Sequence, residues 1–382
     1  MKTLPAKPVY LDCNSTTPVD PAVAENVTRF LTEEFGNAGS RTHAYGGEAN
    51  KAVNRARKAV AEVAGCAPEE VVFTSGATES NNLAILGLSD YGLQNDKRHI
   101  ISTAIEHKAV LEPLEVLQER GFEITLLPPT PGGWVEPASV KEALRKDTLL
   151  VSVMHSNNET GILQSLEEIA GILEEHEAYL HTDAAQGFGK DIETLRNPRI
   201  DMISVSGHKL YAPKGVGALI LRDRDYDRPP VKGLMVGGGQ EYGLRPGTQP
   251  VHLIVGLGKA CELALAENEE RLQKCRIFKE NLLSELAPLE PALNGDQERA
   301  LPTTVNLSIP GVNSEAAMIA LRDIVAISNG AACTSAHYET SHVLKAMNLP
   351  DDIAGGALRW SWFHDSPTPC WESIRQAIGG LK

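Results

Sequence analysis

The sequence has no long apolar run. No stretch approaches the ~18 residues that a membrane-spanning helix needs, and the opening Met1-Lys2-Thr3-Leu4-Pro5 has no apolar core behind its charge. A cytoplasmic protein with no membrane partner is expected. Basic residues are also short: 36 Lys and Arg stand against 50 Asp and Glu, for a net charge of −14. Non-specific nucleic-acid binding needs clustered cations, so direct nucleic-acid contact is not expected. Six cysteines are scattered at 13, 66, 261, 275, 333 and 370, and none forms a Cys-x-x-Cys pair. That disfavours a zinc ribbon or a disulfide framework and leaves no metal site to expect; most should be small buried apolar residues. The chain also lacks a Gly-x-x-x-x-Gly-Lys-Ser/Thr loop, internal repeats and low-complexity tracts.

What is present is an ordinary globular composition, 42% hydrophobic and 23% charged over 382 residues. At about 150 residues per domain, the length suggests two or three domains. Short apolar strands are predicted at 8–11, 71–73, 99–103, 149–154, 179–183, 202–204 and 218–221, with another at 123–127. Helices are predicted at 48–64, 75–88, 107–119, 137–145 and 166–176. Strands that alternate with helices in this way predict an α/β fold with a parallel sheet covered on both faces. A long charged helix, 251–289, follows as a connector. Beyond it, strands near 305–308, 326–328 and 357–360 and helices near 315–321 and 371–379 predict a smaller α+β domain.

Ser206-Gly207-His208-Lys209 is the most informative stretch. A lysine amine condenses with aldehydes, and Asp183 closes the strand 179–183 a short way upstream, where open α/β sheets bind ligands. An amine and an acid so placed can hold pyridoxal phosphate as a Schiff base and use it as an electron sink. Each residue also has an ordinary reading: a solvated lysine, or a turn aspartate. Gln186 lies three residues past Asp183 and could reach the same ligand. Ser75-Gly76-Ala77-Thr78-Glu79-Ser80 joins a strand end to a helix start, which makes either an anion site or a capping box. His107 could stack on an aromatic cofactor and move protons, or merely begin a helix. Cys333 lies in a run of tiny residues, Ser328-Asn329-Gly330-Ala331-Ala332-Cys333-Thr334-Ser335-Ala336, which predicts a mobile loop with a reachable thiol. Arg359, in a strand-like run, could fork onto a carboxylate or sit in a salt bridge.

Taken together, these segments resemble the class V, fold-type I pyridoxal phosphate enzymes, specifically cysteine desulfurases of the IscS/NifS type. The matching motifs run almost end to end. They include Leu11-Asp12 with Thr16-Thr17-Pro18, Phe35-Gly36-Asn37, the 73–80 segment, Glu106-His107, and 155–161 (His-Ser-Asn-Asn-Glu-Thr-Gly). They continue through Asp183-Ala184-Ala185-Gln186, Ser206–Lys209, Gly237–Glu241, Arg245-Pro246-Gly247-Thr248 and Ala332-Cys333-Thr334-Ser335.

The resemblance implies a large domain, 18–260, with a mostly parallel seven-stranded sheet. It implies a small C-terminal domain, 261–382 with 1–17, carrying the cysteine loop. Pyridoxal 5'-phosphate would be held by Lys209, with Asp183 on the ring nitrogen and His107 stacked on the ring. Asn158 and Gln186 would bond its phenolic oxygen; Ala77, Thr78, Ser206 and His208 would hold the phosphate. Thr248 would reach the phosphate of a neighbouring subunit, so a homodimer is expected. Arg359 and Asn37 would grip the carboxylate of L-cysteine. Cys333 would take the sulfur as a persulfide, release alanine and pass the sulfur to an acceptor protein.

Departures from the family pattern are Ala38-Gly39, Pro246 and the bulky Trp360-Ser361-Trp362-Phe363. The chain stops at Lys382, short of the tail with which housekeeping relatives hold an iron–sulfur scaffold. The resulting expectation is a desulfurase dedicated to one pathway, such as DNA phosphorothioation or tRNA thiolation, with iron–sulfur assembly as the general role. Rival readings are an aminotransferase or selenocysteine lyase of the same fold, and a non-catalytic partner-binding protein.

Overall fold

The computed structural model describes residues 7–224, 227–329 and 341–382. Its strands in chain order are β1 (Val9–Tyr10), β2 (Val71–Thr74), β3 (His99–Thr103), β4 (Glu123–Leu127), β5 (Thr148–Ser152) and β6 (Tyr179–Asp183). They continue with β7 (Met202–Ser206), β8 (Gly217–Leu221), β9 (Ala292–Leu293), β10 (Thr304–Ser308), β11 (Val325–Ala326) and β12 (Ala357–Ser361).

Seven strands form one sheet in the order β2-β8-β7-β6-β5-β3-β4. It is α/β and mostly parallel, as expected, but β8 runs antiparallel to both neighbours. The cause is chain length. Only a short turn and loop separate Ser206 from Gly217, and no crossover helix is available to return the chain in the parallel sense. Strands β2, β3, β5, β7 and β8 are buried at every position. Both sheet faces are therefore covered, which explains why these strands are continuous apolar runs without alternation. The edge strand β4 is half exposed.

One face packs against the helices Ala44–Ala64 and Val251–Leu286. Their contact is close: a Cβ on Gly258 would lie 2.6 Å from the Cα of Ala56. The other face packs against Ala77–Leu86 and Lys108–Glu119 through Leu83, Leu114 and Leu117. The predicted helix 75–88 is interrupted at Gly87, and a second helix, Ser89–Gln94, follows. A Cβ on Gly87 would meet the Leu83 carbonyl and Val231 at under 3 Å, so the chain can pack there only as glycine.

A three-stranded antiparallel sheet, β12-β10-β9, and the parallel pair β1-β11 stand apart from the large sheet. Their core contains Leu11, Leu282, Leu286, Val305, Leu307, Trp360, Trp362 and Trp371. The long helix joins both cores, giving Ile254, Leu257 and Ala264 to one and Cys275, Leu282 and Leu286 to the other. Trp360 and Trp362 are fully buried in this second core, and the Trp362 indole donates to the Cys275 carbonyl at 3.1 Å.

Cys13, Cys261 and Cys275 are buried, as expected of small apolar side chains, whereas Cys370 is exposed. Cys370 precedes the helix Trp371–Gly379, and a hydrogen bond from Ser373 lowers its thiol pKa. Among the described residues, no helix is long and apolar enough to cross a membrane, and no group of three or more His, Cys, Asp or Glu is placed to hold a metal.

Candidate active site

The ends of several strands open into one cavity of about 510 Å³, lined by Lys209, Asp183, His107, Asn158, Gln186, Ser206, His208, Ala77, Thr78 and Arg359, together with Asn14, Ser15 and Asn81. Asp183 is the last residue of β6, and Ser206 ends β7 just before the short turn Gly207–Lys209. Ala77 begins the helix after β2, and His107 caps the helix after β3. Sheet register thus brings together residues far apart in sequence, at the edge where such sheets bind ligands.

The Lys209 amine donates to the Ser15 carbonyl at 2.7 Å and also to the Asn14 carbonyl. Asp183 is 6% exposed. One of its oxygens accepts from the Asn81 amide at 2.7 Å and the other from the Ala185 backbone at 3.0 Å. His107 accepts from the Ala109 N–H through Nδ1 at 3.1 Å. Burial lowers its pKa, Lys209 adds to the drop and Asp183 opposes it, so the ring is neutral at pH 7. His208 is pushed down to about 4, by burial first and then by Lys209 and Lys214. It contacts the Thr16 hydroxyl at 3.1 Å. Next to His107, Glu106 is fully buried, and burial raises its carboxyl to about 8.

The helix Ala77–Leu86 starts at Gly76 without any side-chain cap. Half of the predicted capping box exists: Glu79 accepts from the Ser75 N–H at 2.7 Å, but Ser75 does not cap the helix. An uncapped helix start, with its dipole, is suited to an anion. Gly217 lets β8 approach this turn, since a Cβ there would lie 2.6 Å from the Gly76 Cα.

On the opposite side, Arg359 is 1% exposed. Its guanidinium donates to Asp12 at 2.7 Å, the Ser15 hydroxyl at 3.0 Å and the Asn158 carbonyl at 3.0 Å. The Nε atom has no hydrogen-bond partner.

Two predicted residues do not line this cavity. Asn37 lies exposed on a turn and its side-chain oxygen accepts from the Gly39 N–H at 2.8 Å, so it is not brought beside Arg359 within the chain. Thr248 is exposed, on the segment that leads into the long helix. Cys333 lies outside the described residues.

Asn14, Ser15 and Asn81 were not singled out from sequence. Asn81 had a readable signal: it follows Ala77 by one helical turn and so shares its face. Asn14 and Ser15 had none, because their contacts to Lys209 span nearly two hundred residues.

The lining suits a phosphate-bearing pyridine aldehyde. It offers an amine, a buried carboxylate, an uncapped helix start and two buried amide oxygens, Asn81 Oδ1 and Gln186 Oε1, that lack partners. The aminotransferase class-V family model matches residues 9–366. A cysteine desulfurase IscS of Pectobacterium carotovorum subsp. carotovorum is 43% identical across 98% of this chain and 94% of its own length. The crystal structure of DndA from Streptomyces lividans superposes with a TM-score of 0.82 at 48% identity, covering 96% of this chain and all of that one. A NifS-like protein superposes with a TM-score of 0.88 at 35% identity, covering 98% of each. The chain therefore belongs to the aminotransferase class-V family, among its IscS/NifS-type cysteine desulfurases.

Proposed function

We propose that the chain removes sulfur from L-cysteine, giving L-alanine and a persulfide on Cys333 that passes to an acceptor protein. The observation that carries this reading is the convergence of Lys209, Asp183, His107 and Arg359 on one cavity with an uncapped helix start. Bound pyridoxal 5'-phosphate supplies a sink for the electron pair left when a Cα–H bond breaks.

Lys209 would carry the cofactor covalently, and Asp183, steadied by Asn81, would pair with its ring nitrogen. The Ala77–Thr78 helix start, Ser206 and His208 would hold its phosphate, with Asn158 and Gln186 at its phenolic oxygen. When not bonded to the cofactor, the Lys209 amine would take and return the substrate's Cα proton. His107, neutral because it is buried, accepts or delivers a second proton. Arg359 turns its guanidinium to the substrate carboxylate.

Reach favours Cys333 as the sulfur acceptor. Ser328 exchanges backbone hydrogen bonds with Arg359. Cys333 follows Ser328 by five residues, which extend to at most about 18 Å. In the exchange, the substrate C–S bond breaks and an S–S bond forms. A hydrogen replaces sulfur on the substrate carbon, so no external oxidant or reductant is consumed.

The working unit is a homodimer. Leu234, Met235 and the 99% exposed Val236 lie on the same segment as Thr248, and such a patch suits cover by a second copy. Thr248 would then serve the neighbouring phosphate.

The test is to incubate the protein with pyridoxal 5'-phosphate and L-cysteine, and measure alanine and the mass of the Cys333 peptide. Alanine together with one added sulfur, both lost in Cys333→Ser, is expected. Turnover that survives Cys333→Ser, with amino-group transfer to a keto acid, would instead support the aminotransferase reading.

A further inference from the structure

Asn14 is hydrogen-bonded on one side to the cavity residues Asn158, Gln186 and Lys209 and on the other to the small sheet. It is 4% exposed and lines the cavity wall. Its side-chain amide donates to the Asn158 carbonyl at 3.0 Å, and its side-chain oxygen accepts from the Thr304 hydroxyl at 3.1 Å. Its backbone N–H donates to the Ser361 hydroxyl at 2.9 Å. Its carbonyl accepts from the Lys209 amine and, at 3.0 Å, from the Gln186 amide. Thr304 lies in β10 and Ser361 in β12, so the residue ties the small sheet to the lysine that follows β7.

We infer that Asn14 is a positioning residue whose carbonyl, with that of Ser15, forms a dock for the Lys209 amine whenever that amine is not bonded to cofactor. The inference rests on the reading of Lys209 as the cofactor-bearing residue. The physical logic has two parts. A carbonyl oxygen stabilises an ammonium group more than a neutral amine, and two of them do so additively to first order. A carbonyl serves as a fixed dock only if its peptide cannot turn. The Asn14 side chain, held at one end by Thr304 and at the other by Asn158, stops that turn. To act as the Cα base, the Lys209 amine would have to be free of the cofactor. A dock of two carbonyls would receive that free amine and keep it within the cavity.

The test uses the cofactor-free full chain. Lys209 is labelled with an amine-selective acylating reagent across a pH series and quantified by peptide mass. In Asn14→Ala the labelling midpoint should move to lower pH by roughly one unit, about a tenfold rise in labelling rate at a fixed pH below the midpoint. Thr304→Val, which removes only one anchor of the side chain, should shift it the same way, by roughly threefold in rate. The other charged and titratable groups round the cavity, His107, Asp183, His208, Lys214, Glu79 and Arg359, are unchanged in both variants.

A folded Asn14→Ala with a lower melting temperature and an unmoved midpoint would overturn the inference. If that variant does not fold, Thr304→Val decides alone, and an unmoved midpoint there overturns it equally. Borohydride trapping of pyridoxal phosphate on Lys209 in the unaltered protein is run in parallel. Failure to trap removes the cofactor reading, while the labelling shift separately reports the dock.

Discussion

The cavity has two walls built on different principles. One is made at strand ends: Asp183 closes β6, Lys209 follows β7, and Ala77 and His107 follow β2 and β3. Its residues are set by the register of a sheet buried on both faces. The other wall, Asn14, Ser15, Asn158 and Arg359, is assembled by single polar links between distant segments. The ion pair of Arg359 with Asp12 closes a sequence gap of 347 residues. The first wall inherits its geometry from many backbone hydrogen bonds that no side-chain substitution removes. The second rests on a few side-chain contacts and gives way one contact at a time. Substitutions in the first wall should therefore remove chemistry while leaving the fold intact, whereas those in the second should shift affinity and placement.

The largest expected effect lies in the first wall. Lys209→Ala should lower alanine formation by about 10³-fold or more, since under the proposed function it would remove both cofactor attachment and the Cα base. The strand register of β7 with β6 and β8 does not involve this side chain, so the unfolding midpoint in urea should fall by no more than the loss of its contacts to the Asn14 and Ser15 carbonyls accounts for. A collapse in stability comparable to the loss of activity would erase the distinction between the walls. Next comes Arg359→Lys in the second wall. A lysine keeps the charge but loses the fork. KM for L-cysteine should rise roughly 10- to 100-fold, the scale of one lost charge-assisted hydrogen bond, with a smaller fall in kcat. A fall confined to kcat would argue that Arg359 acts on the transition state. Asn81→Ala tests the first wall from behind. Removing the amide that holds Asp183 should cost about tenfold in kcat, with KM nearly constant.

The first wall was legible in the sequence and the second largely was not, for the same structural reason. Strand ends announce themselves: Asp183 after an apolar run and Lys209 in a short polar turn both lie where the sheet opens, and local pattern predicts that. Even so, the antiparallel course of β8 was missed. Its apolar run resembles that of a parallel strand, and only the short β7–β8 connection betrays its direction. The single helix expected over 75–88 broke at a glycine whose reason is a packed neighbour, Val231, far along the chain. The second wall depends on contacts such as Asn14 to Thr304 and Ser15 to Lys209, which no periodicity or spacing encodes. Arg359 was visible as an unusual arginine in a strand, but its engagement by Asp12, Ser15 and Asn158 was not. Asn37 shows the converse: a residue grouped with Arg359 by family resemblance sits instead on an exposed turn of the single chain.

The last expected effect is on stability rather than on turnover, and it lies beside the first wall, at a point that also receives the chain leading to the second. Glu106 is wholly buried, and one of its oxygens accepts from Thr103 and from the Met154 backbone, each at 2.8 Å. Its other oxygen has no partner, and its backbone carbonyl meets His342 at 3.0 Å. Burial, with a smaller push from Asp183, raises the carboxyl from 4.5 to about 8. The folded protein therefore keeps a proton that the unfolded chain releases above pH ~4.5. The resulting stabilisation is present at low pH and is lost as pH rises toward 8. Glu106→Gln supplies a neutral group at every pH, so the stability of the variant relative to the unaltered protein should climb between about pH 5 and 8 and then level off. The slope should be on the order of 1 kcal/mol per pH unit. Taking the difference cancels the opposite slope from His208, whose depressed pKa removes stability as pH falls from about 6.5 to about 4. Urea unfolding at a series of pH values measures it. A difference that stays flat across that range would mean the carboxyl is ionised in the folded protein, held by more polar company than burial beside a register-built wall allows.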